Sequence, residues 1–299
     1  MSIASYIKEI GRGRDGARAL TREQAADLMG QVLDGTVTDL EVGAFCLAMR
    51  IKGETAQEMA GFLDATRIRL QQVPNAGQAT VVLPSYNGAR KLPVLTPLLA
   101  LLLAREGLAV VVHGMATENG RTSTQKVLET LGRRSHSAIE SIANSQVQYL
   151  PTELLCPGLA RLLDVRRVVG LRNPAHSLVK LMNPCLDAAL VVGSYTHPEY
   201  AESMAATLRL TQTSALLLRG TEGEPVADAR RTPAMDVFKD GQIRRVQDHK
   251  EGSLVQLPEL PSTDAVATAL YTEHVLKGLL PVPEAIALQV QHILYEVNP

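Results

Sequence analysis

The stretch AALVVGSYTHPEYAESMAATLRLTQTSALLL, residues 188–218, decides the fold class of this 299-residue chain. It begins with the apolar run Ala188 to Val192, continues with the amphipathic spacing of a helix over Pro198 to Leu210, and ends with the apolar run Ala215 to Leu218. Short, continuously apolar strands joined through a helix are typical of parallel sheets that helices cover on both faces. The stretch therefore predicts an α/β domain.

The same alternation of strands and helices extends in both directions from this stretch. The further predicted elements are strand Thr80 to Leu83, helix Thr96 to Glu106, strand Ala109 to His113, helix Thr122 to Leu131, a hairpin over Met235 to Val246, and helices Ser262 to Lys277 and Pro283 to Tyr295. Ligands of such domains bind beyond the carboxyl ends of the strands. The loops after Leu83, His113 and Leu218 are therefore the predicted location of a functional site.

The first part of the chain has a helical pattern throughout. Thr21 begins one predicted helix with a capping box, a second helix begins at Asp39, and a third spans Thr55 to Leu70. A turn-rich Val-Pro-Asn-Ala-Gly linker follows. The sequence thus predicts a small all-helical domain over residues 1–72 and a larger α/β domain over residues 78–299, with a central, mostly parallel sheet flanked by helices.

The charge is nearly balanced overall but uneven along the chain. Lys and Arg number 30 and Asp and Glu number 31, a net charge of −1 that argues against a uniformly basic nucleic-acid-binding protein. Residues 1–180 nevertheless carry 21 Lys and Arg against 16 Asp and Glu, and residues 181–299 carry 9 against 15. This asymmetry predicts one basic face. Because aromatic residues make up only 3%, any nucleic-acid binding is expected to be mainly electrostatic.

Composition also excludes several classes of protein. A hydrophobic content of 45% excludes disorder as an overall description. The longest apolar run, Val94 to Ala104, is too short to span a bilayer and contains Pro97, and no leader pattern is seen, so a cytoplasmic protein without membrane contact is expected. Cys46, Cys156 and Cys185 have no CxxC spacing, which favours buried thiols over disulfides or a zinc site.

Three segments carry a family resemblance. They are LTREQAADLMGQVLDGTVTDLEVGAFCLAMRIKGETAQEMAGF (20–62), VHGMATENGRTSTQKVLETLG (112–132) and RRVVGLRNPAHSLVKLMNP (166–184). In order and spacing they resemble glycosyltransferase family 3, the anthranilate phosphoribosyltransferase-like superfamily. The resemblance implies a cleft between a helical and an α/β domain, a segment at about residues 160–182 that returns to the helical domain, and a homodimer joined through that domain.

Several residues of the enzyme pattern are replaced. In the enzymes a Gly-Thr-Gly-Gly-Asp loop holds the pyrophosphate of phosphoribosyl pyrophosphate, and here that loop reads Leu-Pro-Ser-Tyr-Asn-Gly, residues 83–88. Pro84 has no N–H group to offer, and Tyr86 is expected to fill the space of the phosphate. The Asp-Glu pair that would hold magnesium falls opposite Pro225 and Val226. The comparison therefore assigns no catalytic residue and no metal ligand.

The resemblance assigns other residues to the cleft. The cleft-lining positions are Asn87, Gly88, Thr96, His113, Gly114 and His176. The positions expected to bind nucleic acid or phosphate are Arg90, Lys91, Arg121, Arg166, Arg172 and Lys180, with Arg12 and Arg14 as a basic arm. Alternatives stay open: the arm could be a solvated helix end, Arg166 and Arg167 could form hinge ion pairs, and His113 could be a general acid or a hydrogen-bonded structural residue.

The strings PSYNGARK, VVHG, RNPAHSLVKL and YTHPEY are more similar to the divergent YbiB-like branch of the superfamily than to the enzymes. That resemblance implies a homodimer that binds nucleic acid, DNA and possibly RNA, non-specifically through phosphate contacts, without ordinary anthranilate phosphoribosyltransferase activity and without a cofactor. The alternative is a phosphoribosyltransferase that acts on an aromatic amine or base with phosphoribosyl pyrophosphate and Mg. A nucleotide-binding regulator is a third hypothesis.

Overall fold

The computed structural model describes residues 2–13, 15–75, 77–252 and 258–297, so the candidate Arg14 lies outside the described residues. The helices are α1 (Ala4–Ile10), α2 (Arg22–Asp34), α3 (Asp39–Lys52), α4 (Ala56–Arg67), α5 (Thr96–Arg105), α6 (Thr124–Thr130), α7 (Thr152–Leu155), α8 (Pro157–Val169), α9 (Ala175–Leu178), α10 (Pro198–Leu210), α11 (Ala265–Leu276) and α12 (Glu284–Val297). The strands are β1 (Thr80–Ser85), β2 (Ala109–Gly114), β3 (Val147–Pro151), β4 (Leu190–Tyr195), β5 (Ala215–Arg219), β6 (Met235–Lys239) and β7 (Gln242–Gln247).

The seven strands form one sheet in the order β3-β2-β1-β4-β5-β6-β7. Strands β1 to β5 pair in parallel, and the β6–β7 hairpin adds two antiparallel strands at one edge. Strands β1 and β2 are buried along their whole length because helices cover both faces of the sheet. The predicted fold class is therefore confirmed.

The helices of the amino-terminal part begin where the sequence predicts them. Thr21, Thr38 and Thr55 each cap a helix through a capping box, in which the threonine hydroxyl accepts from the backbone N–H three residues later. Helices α2 and α4 pack unusually closely: a Cβ added at Gly61 of α4 would lie 2.2 Å from the backbone oxygen of Arg22. A glycine is therefore needed at this helix crossing.

Helix α8 packs against the helical part of the chain, although it follows β3 in sequence. The Arg161 guanidinium donates to the backbone oxygen of Leu33, 2.9 Å away, at the end of α2. A Cβ added at Gly158 would lie 2.1 Å from that same oxygen. The main chains of α8 and α2 are thus nearly in contact, and this contact positions the arginines near the end of α8.

The structure differs from the sequence predictions in a few elements. Helix α1 and strand β3 were not predicted, and β3 escapes a search for apolar runs because it contains the buried polar Gln148. Strand β4 reaches Tyr195, three residues beyond the predicted Val192. The extension escapes a search for apolar runs because the carboxyl end of the strand faces the cleft and carries polar side chains there.

The three cysteines are free and buried, which confirms the prediction for them. No helix in the described ranges is long and apolar enough to cross a bilayer.

Candidate functional site

The carboxyl ends of the parallel strands bring distant loops together. After β1 the chain turns sharply at Gly88, which has a left-handed φ of 68°. A Cβ at Gly88 would lie 2.7 Å from the backbone oxygen of Thr122, so only glycine fits this turn. The turn directs the backbone N–H groups of Asn87 and Gly88 toward the loop that follows β5.

The loop after β5 brings a buried carboxylate within hydrogen-bond distance of these N–H groups. The side chain of Glu224 is 1% exposed. Its Oε1 accepts from the N–H of Asn87 at 2.7 Å and of Gly88 at 2.9 Å. Its Oε2 accepts from the hydroxyl of Thr96 at 3.0 Å and, through a short bond, from the hydroxyl of Ser85. Backbone amides converging in this way form an anion-binding nest, and the anion here is part of the protein.

The loop after β5 supplies a second carboxylate, which accepts hydrogen bonds from backbone N–H groups further along the chain after β1. Glu222 accepts from the N–H of Arg90 at 2.6 Å and of Lys91 at 2.9 Å. Glu222 has a left-handed φ of 53°, an unusual conformation for a residue other than glycine. Asn87 supports it by donating from Nδ2 to the Glu222 backbone oxygen at 2.6 Å.

The expectation that Tyr86 fills the space of the phosphate is wrong. Its hydroxyl lies 2.8 Å from Nδ1 of His113 and accepts from the hydroxyl of Thr152 at 3.0 Å. Successive side chains of an extended chain point to opposite faces, so Tyr86 enters the core while the neighbouring Ser85 faces the nest. The group beside the nest amides is the Glu224 carboxylate.

Both candidate histidines are buried and neutral. Burial lowers the pKa of His113 to about 3, and its contact with Tyr86 favours a structural role over general acid catalysis. Burial, followed by the charge of Arg172, lowers the pKa of His176 to about 3. His176 lines the cleft between the two domains.

Three of the candidate arginines surround one carboxylate. Glu118 contacts Arg121 and Arg166 at 2.6 Å each and Arg172 at 3.4 Å. Arg167 pairs instead with Asp164 at 2.8 Å. Ion pairs therefore exist at both Arg166 and Arg167, but the cluster around Glu118 retains an excess of positive charge.

Lys180 is a buried cation, and none of the carboxylates that the structure describes forms an ion pair with it. Its Nζ donates to the backbone oxygen of Gly223 at 2.8 Å and to that of Ser194 at 3.3 Å. Burial lowers the pKa of Lys180 to about 8. The lysine therefore ties the loop after β5 to β4 and adds positive charge to the cleft at neutral pH.

Lys180 gives the stability of the protein a specific dependence on pH. Since the unfolded chain holds this proton up to the usual pKa of 10.5 and the folded protein releases it near 8, folding becomes more favourable as pH rises between these values. Relative to K180M, the wild-type free energy of unfolding is expected to gain about 2 kcal/mol between about pH 7 and pH 9.5. Urea unfolding of both proteins at the two pH values measures this gain. K277M, at an exposed lysine, is the control, and parallel pH profiles for wild type and K180M would contradict the expectation.

Two adjoining concavities form a groove across these strand ends. One, of about 160 Å³, lies between α3, α9 and α10, and the other, of about 1130 Å³, extends over the ends of β4 and β5. They share Tyr195 and Thr196. We call the combined surface the basic groove; its cationic lining residues are Arg50, Lys91, Arg172, Lys180, Arg219, Arg230 and Arg231.

The sequence predicts only part of this lining. Lys91, Arg172 and Lys180 are predicted from it, whereas Arg50, Arg219 and the Arg230–Arg231 pair are not. Arg219 directly follows the apolar run of β5, so the rule that ligands bind at strand ends could have found it. Arg50 comes from the helical part, and no local pattern signals that it reaches the groove.

Of the remaining candidates, Arg90 and Arg12 lie at the surface, whereas Gly114 is buried. Arg90 is exposed beside Lys91. Arg12 is exposed and pairs with Glu9 at 2.8 Å, a contact within one short segment that accords with a solvated helix end. Gly114 ends β2, and a Cβ there would lie 1.9 Å from the backbone oxygen of Ser85.

Comparisons with known proteins agree with this architecture. Residues 4–68 match the glycosyl transferase family, helical bundle domain. The uncharacterized protein YbiB of Escherichia coli is 38% identical over 298 residues, which cover 97% of this chain and 92% of YbiB. This chain belongs to glycosyltransferase family 3, the anthranilate phosphoribosyltransferase-like superfamily.

Other members of the superfamily are more distant. The anthranilate phosphoribosyltransferase of Geobacillus thermodenitrificans is 28% identical over 76% of this chain and 68% of its own length. The crystal structure of the Thermus thermophilus enzyme superposes with a TM-score of 0.77 at 22% identity, covering 97% of this chain and 88% of that one. The Saccharomyces cerevisiae enzyme in complex with PRPP and Mg gives a TM-score of 0.66 at 14% identity, covering 99% and 86%.

The residues of this family member do not fit a magnesium ion at the end of β1. Both carboxylates of the loop after β5, Glu222 and Glu224, already accept from N–H or O–H groups. A divalent cation bound to the same oxygens would face the positive ends of those donors. Within the residues that the structure describes, no group of three or more His, Cys, Asp or Glu could hold a metal ion.

Proposed function

We propose that this superfamily member binds nucleic acid through phosphate contacts along the basic groove and does not carry out ordinary anthranilate phosphoribosyl transfer. The observation that carries the proposal is the charge of the lining: seven Lys and Arg side chains against four Asp and Glu. One of the acids, Asp228, pairs with Arg230 and Arg231, and the count of the whole lining leaves three positive charges in excess. The excess positive charge therefore faces the open groove.

The form of the groove favours a long polyanion over a small phosphate compound. Its cations come from the helical part, from the loop after β1, from the segment between α8 and β4, and from the end of β5 and the loop that follows it, so they are spread along the surface instead of converging on one point. The nest that could hold a single phosphate tightly is filled by Glu224. Cations that contact phosphates carry no base information, which is why the proposed binding is independent of sequence.

An apolar face of the helical part supports the expected homodimer. Leu40, Leu47 and Ile51 of α3 are 84%, 46% and 63% exposed. An apolar groove of about 250 Å³ lies between α3 and α1. Burial of such side chains against a second copy would stabilise a dimer, and two copies would double the number of cations available to one nucleic acid.

The alternative function is a phosphoribosyltransferase, as the names of the relatives suggest. The retained fold and the cleft between the domains support it. Filling of the nest by Glu224 and the poor fit to magnesium oppose it. Calorimetry with phosphoribosyl pyrophosphate and Mg separates the two functions, because a transferase would show saturable, metal-dependent binding.

The proposed function is tested by a salt titration of binding to a mixed-sequence DNA duplex. We expect log K to fall linearly with log salt concentration, with a slope of about −0.9 for each phosphate contacted. Affinities for unrelated sequences should agree within about threefold at every salt concentration. Light scattering of the complex should give two chains. Absence of binding at low salt, or binding that salt does not weaken, would overturn the proposal.

A further inference from the structure

We infer that the basic groove prefers single-stranded nucleic acid, whose unpaired bases stack on the rings of Tyr195, His197 and Tyr200. These rings lie on the chain between β4 and α10, which we call the aromatic segment, residues 195–200. The inference rests on the proposed function and deepens it, because it names the form of nucleic acid that binds. Phosphate contacts alone carry no information about the bases, whereas stacking needs base faces that no partner strand covers.

Aromatic side chains are scarce in this chain, and their distribution is uneven. There are three Phe, seven Tyr and no Trp. Six of these ten residues are buried in the core: Phe45, Phe62, Phe238, Tyr86, Tyr149 and Tyr271. Tyr6 and Tyr295 lie outside the groove, each in contact with a charged side chain. The remaining two, Tyr195 and Tyr200, are partly exposed and both line the basic groove. The scarcity of aromatic residues in the whole chain therefore does not extend to the groove.

The aromatic segment is anchored at both ends. Tyr195 ends β4, and its backbone oxygen accepts from the N–H of Gly220 at 3.2 Å. Pro198 begins α10, and the N–H of Tyr200 donates to the backbone oxygen of His197 at 3.1 Å. The His197 and Tyr200 ring centroids lie 6.3 Å apart, with the ring planes tilted by 50°. Rings that folding has already positioned in this way lose little conformational freedom when a base stacks on them.

Cations lie beside the rings. Arg219 is the partner of Tyr195 in the parallel pairing of β4 with β5. Neighbouring strands lie about 4.8 Å apart, so a phosphate held by Arg219 leaves its own base within reach of the Tyr195 ring. Arg172 lines the same concavity as Tyr200. A cationic groove with rings along it is the arrangement by which proteins hold single strands without reading their sequence.

The test uses two single strands of about 20 nucleotides with the same number of phosphates, oligo(dA) and an abasic strand, at about 0.3 M NaCl so that surface charges are screened. Wild type is expected to bind oligo(dA) about 30-fold more tightly than the abasic strand, because bases stack on the rings. In Y195L/Y200L this ratio should fall to about 3, whereas Y195F/Y200F keeps both rings and should stay within about twofold of the wild-type ratio. Y295L, at a tyrosine that is 67% exposed and outside the groove, is the matched control and should behave as wild type. Fluorescence anisotropy measures each affinity.

Oligo(rA) provides a second arm of the same experiment. Its dependence on the two tyrosines should equal that of oligo(dA), because the faces of the bases are alike in RNA and DNA. A loss in Y195L/Y200L that is confined to one of the two polymers would identify that polymer as the ligand whose bases stack on the aromatic segment.

Other results would contradict the inference. Equal wild-type affinity for oligo(dA) and the abasic strand would show that the bases do not stack in the groove, and this comparison requires no variant to fold. A ratio that Y195L/Y200L retains in full would place the bases away from the aromatic segment. If duplex DNA still binds with the expected salt dependence, either result overturns only the preference for single strands. If neither duplex nor single strands bind, the proposed function itself fails.

Discussion

The triple variant R50A/K91A/R219A is expected to bind duplex DNA about 1000-fold more weakly than wild type at 50 mM salt. All three side chains line the basic groove, and none forms an ion pair with any described residue, so each is available to a phosphate. By counterion release, one phosphate contact is worth roughly a factor of 10 in affinity at that salt concentration. The slope of log K against log salt should become shallower by about 3, equally for all sequences. Fluorescence anisotropy at four salt concentrations measures both quantities.

The matched control removes the same charge elsewhere. Arg67, Arg133 and Arg134 are exposed and do not line the groove. R67A/R133A/R134A changes the net charge by the same amount and should weaken binding by less than about tenfold. If both triple variants lose equal affinity, binding depends on the overall charge of the protein and the groove has no special role.

Some residues of the basic groove can be predicted from the sequence, and others cannot. Lys91 and Arg219 follow strands, and strand ends are recognisable from apolar runs. Arg50 lies near the end of a helix that the sequence also predicts, but its place in the groove depends on how the helical part is docked. Docking of this kind is set by packing between distant segments, which local patterns do not encode.

The nest is the clearest case of a feature hidden from the sequence. The bond between Glu224 and the N–H of Asn87 joins residues 137 positions apart. Comparison with the family pattern places Pro225 and Val226, and not the glutamates, opposite the enzyme carboxylates. By that comparison the carboxylates are simply absent. Only the left-handed turn at Glu222 and Gly223 brings the two carboxylates onto the amides after β1. Motif comparison therefore detects that a ligand site has changed but not what now fills it.

The second large effect is expected from G158V, which should destabilise the protein by about 3 kcal/mol and lower its melting temperature by roughly 10 °C. A Cβ at Gly158 would lie 2.1 Å from the backbone oxygen of Leu33 and 2.9 Å from its Cα. Backbone atoms cannot move aside as a flexible side chain can, so α8 must shift away from α2. The shift would also strain the bond from Arg161 to the Leu33 oxygen.

Displacement of α8 should also affect the basic groove, because Arg166 of α8 and the groove residue Arg172 contact the same carboxylate. Arg166 and Arg172 share Glu118, and displacement of α8 would separate them from it. We therefore expect G158V to bind DNA more weakly even at temperatures where it stays folded. A206V places the same side chain at an exposed position of α10, and it should lower the free energy of unfolding by less than about 1 kcal/mol, the size of the helix-propensity difference between Ala and Val. Calorimetric unfolding of the two variants measures the difference, and a G158V protein as stable as A206V would mean that α8 and α2 are not in contact in solution.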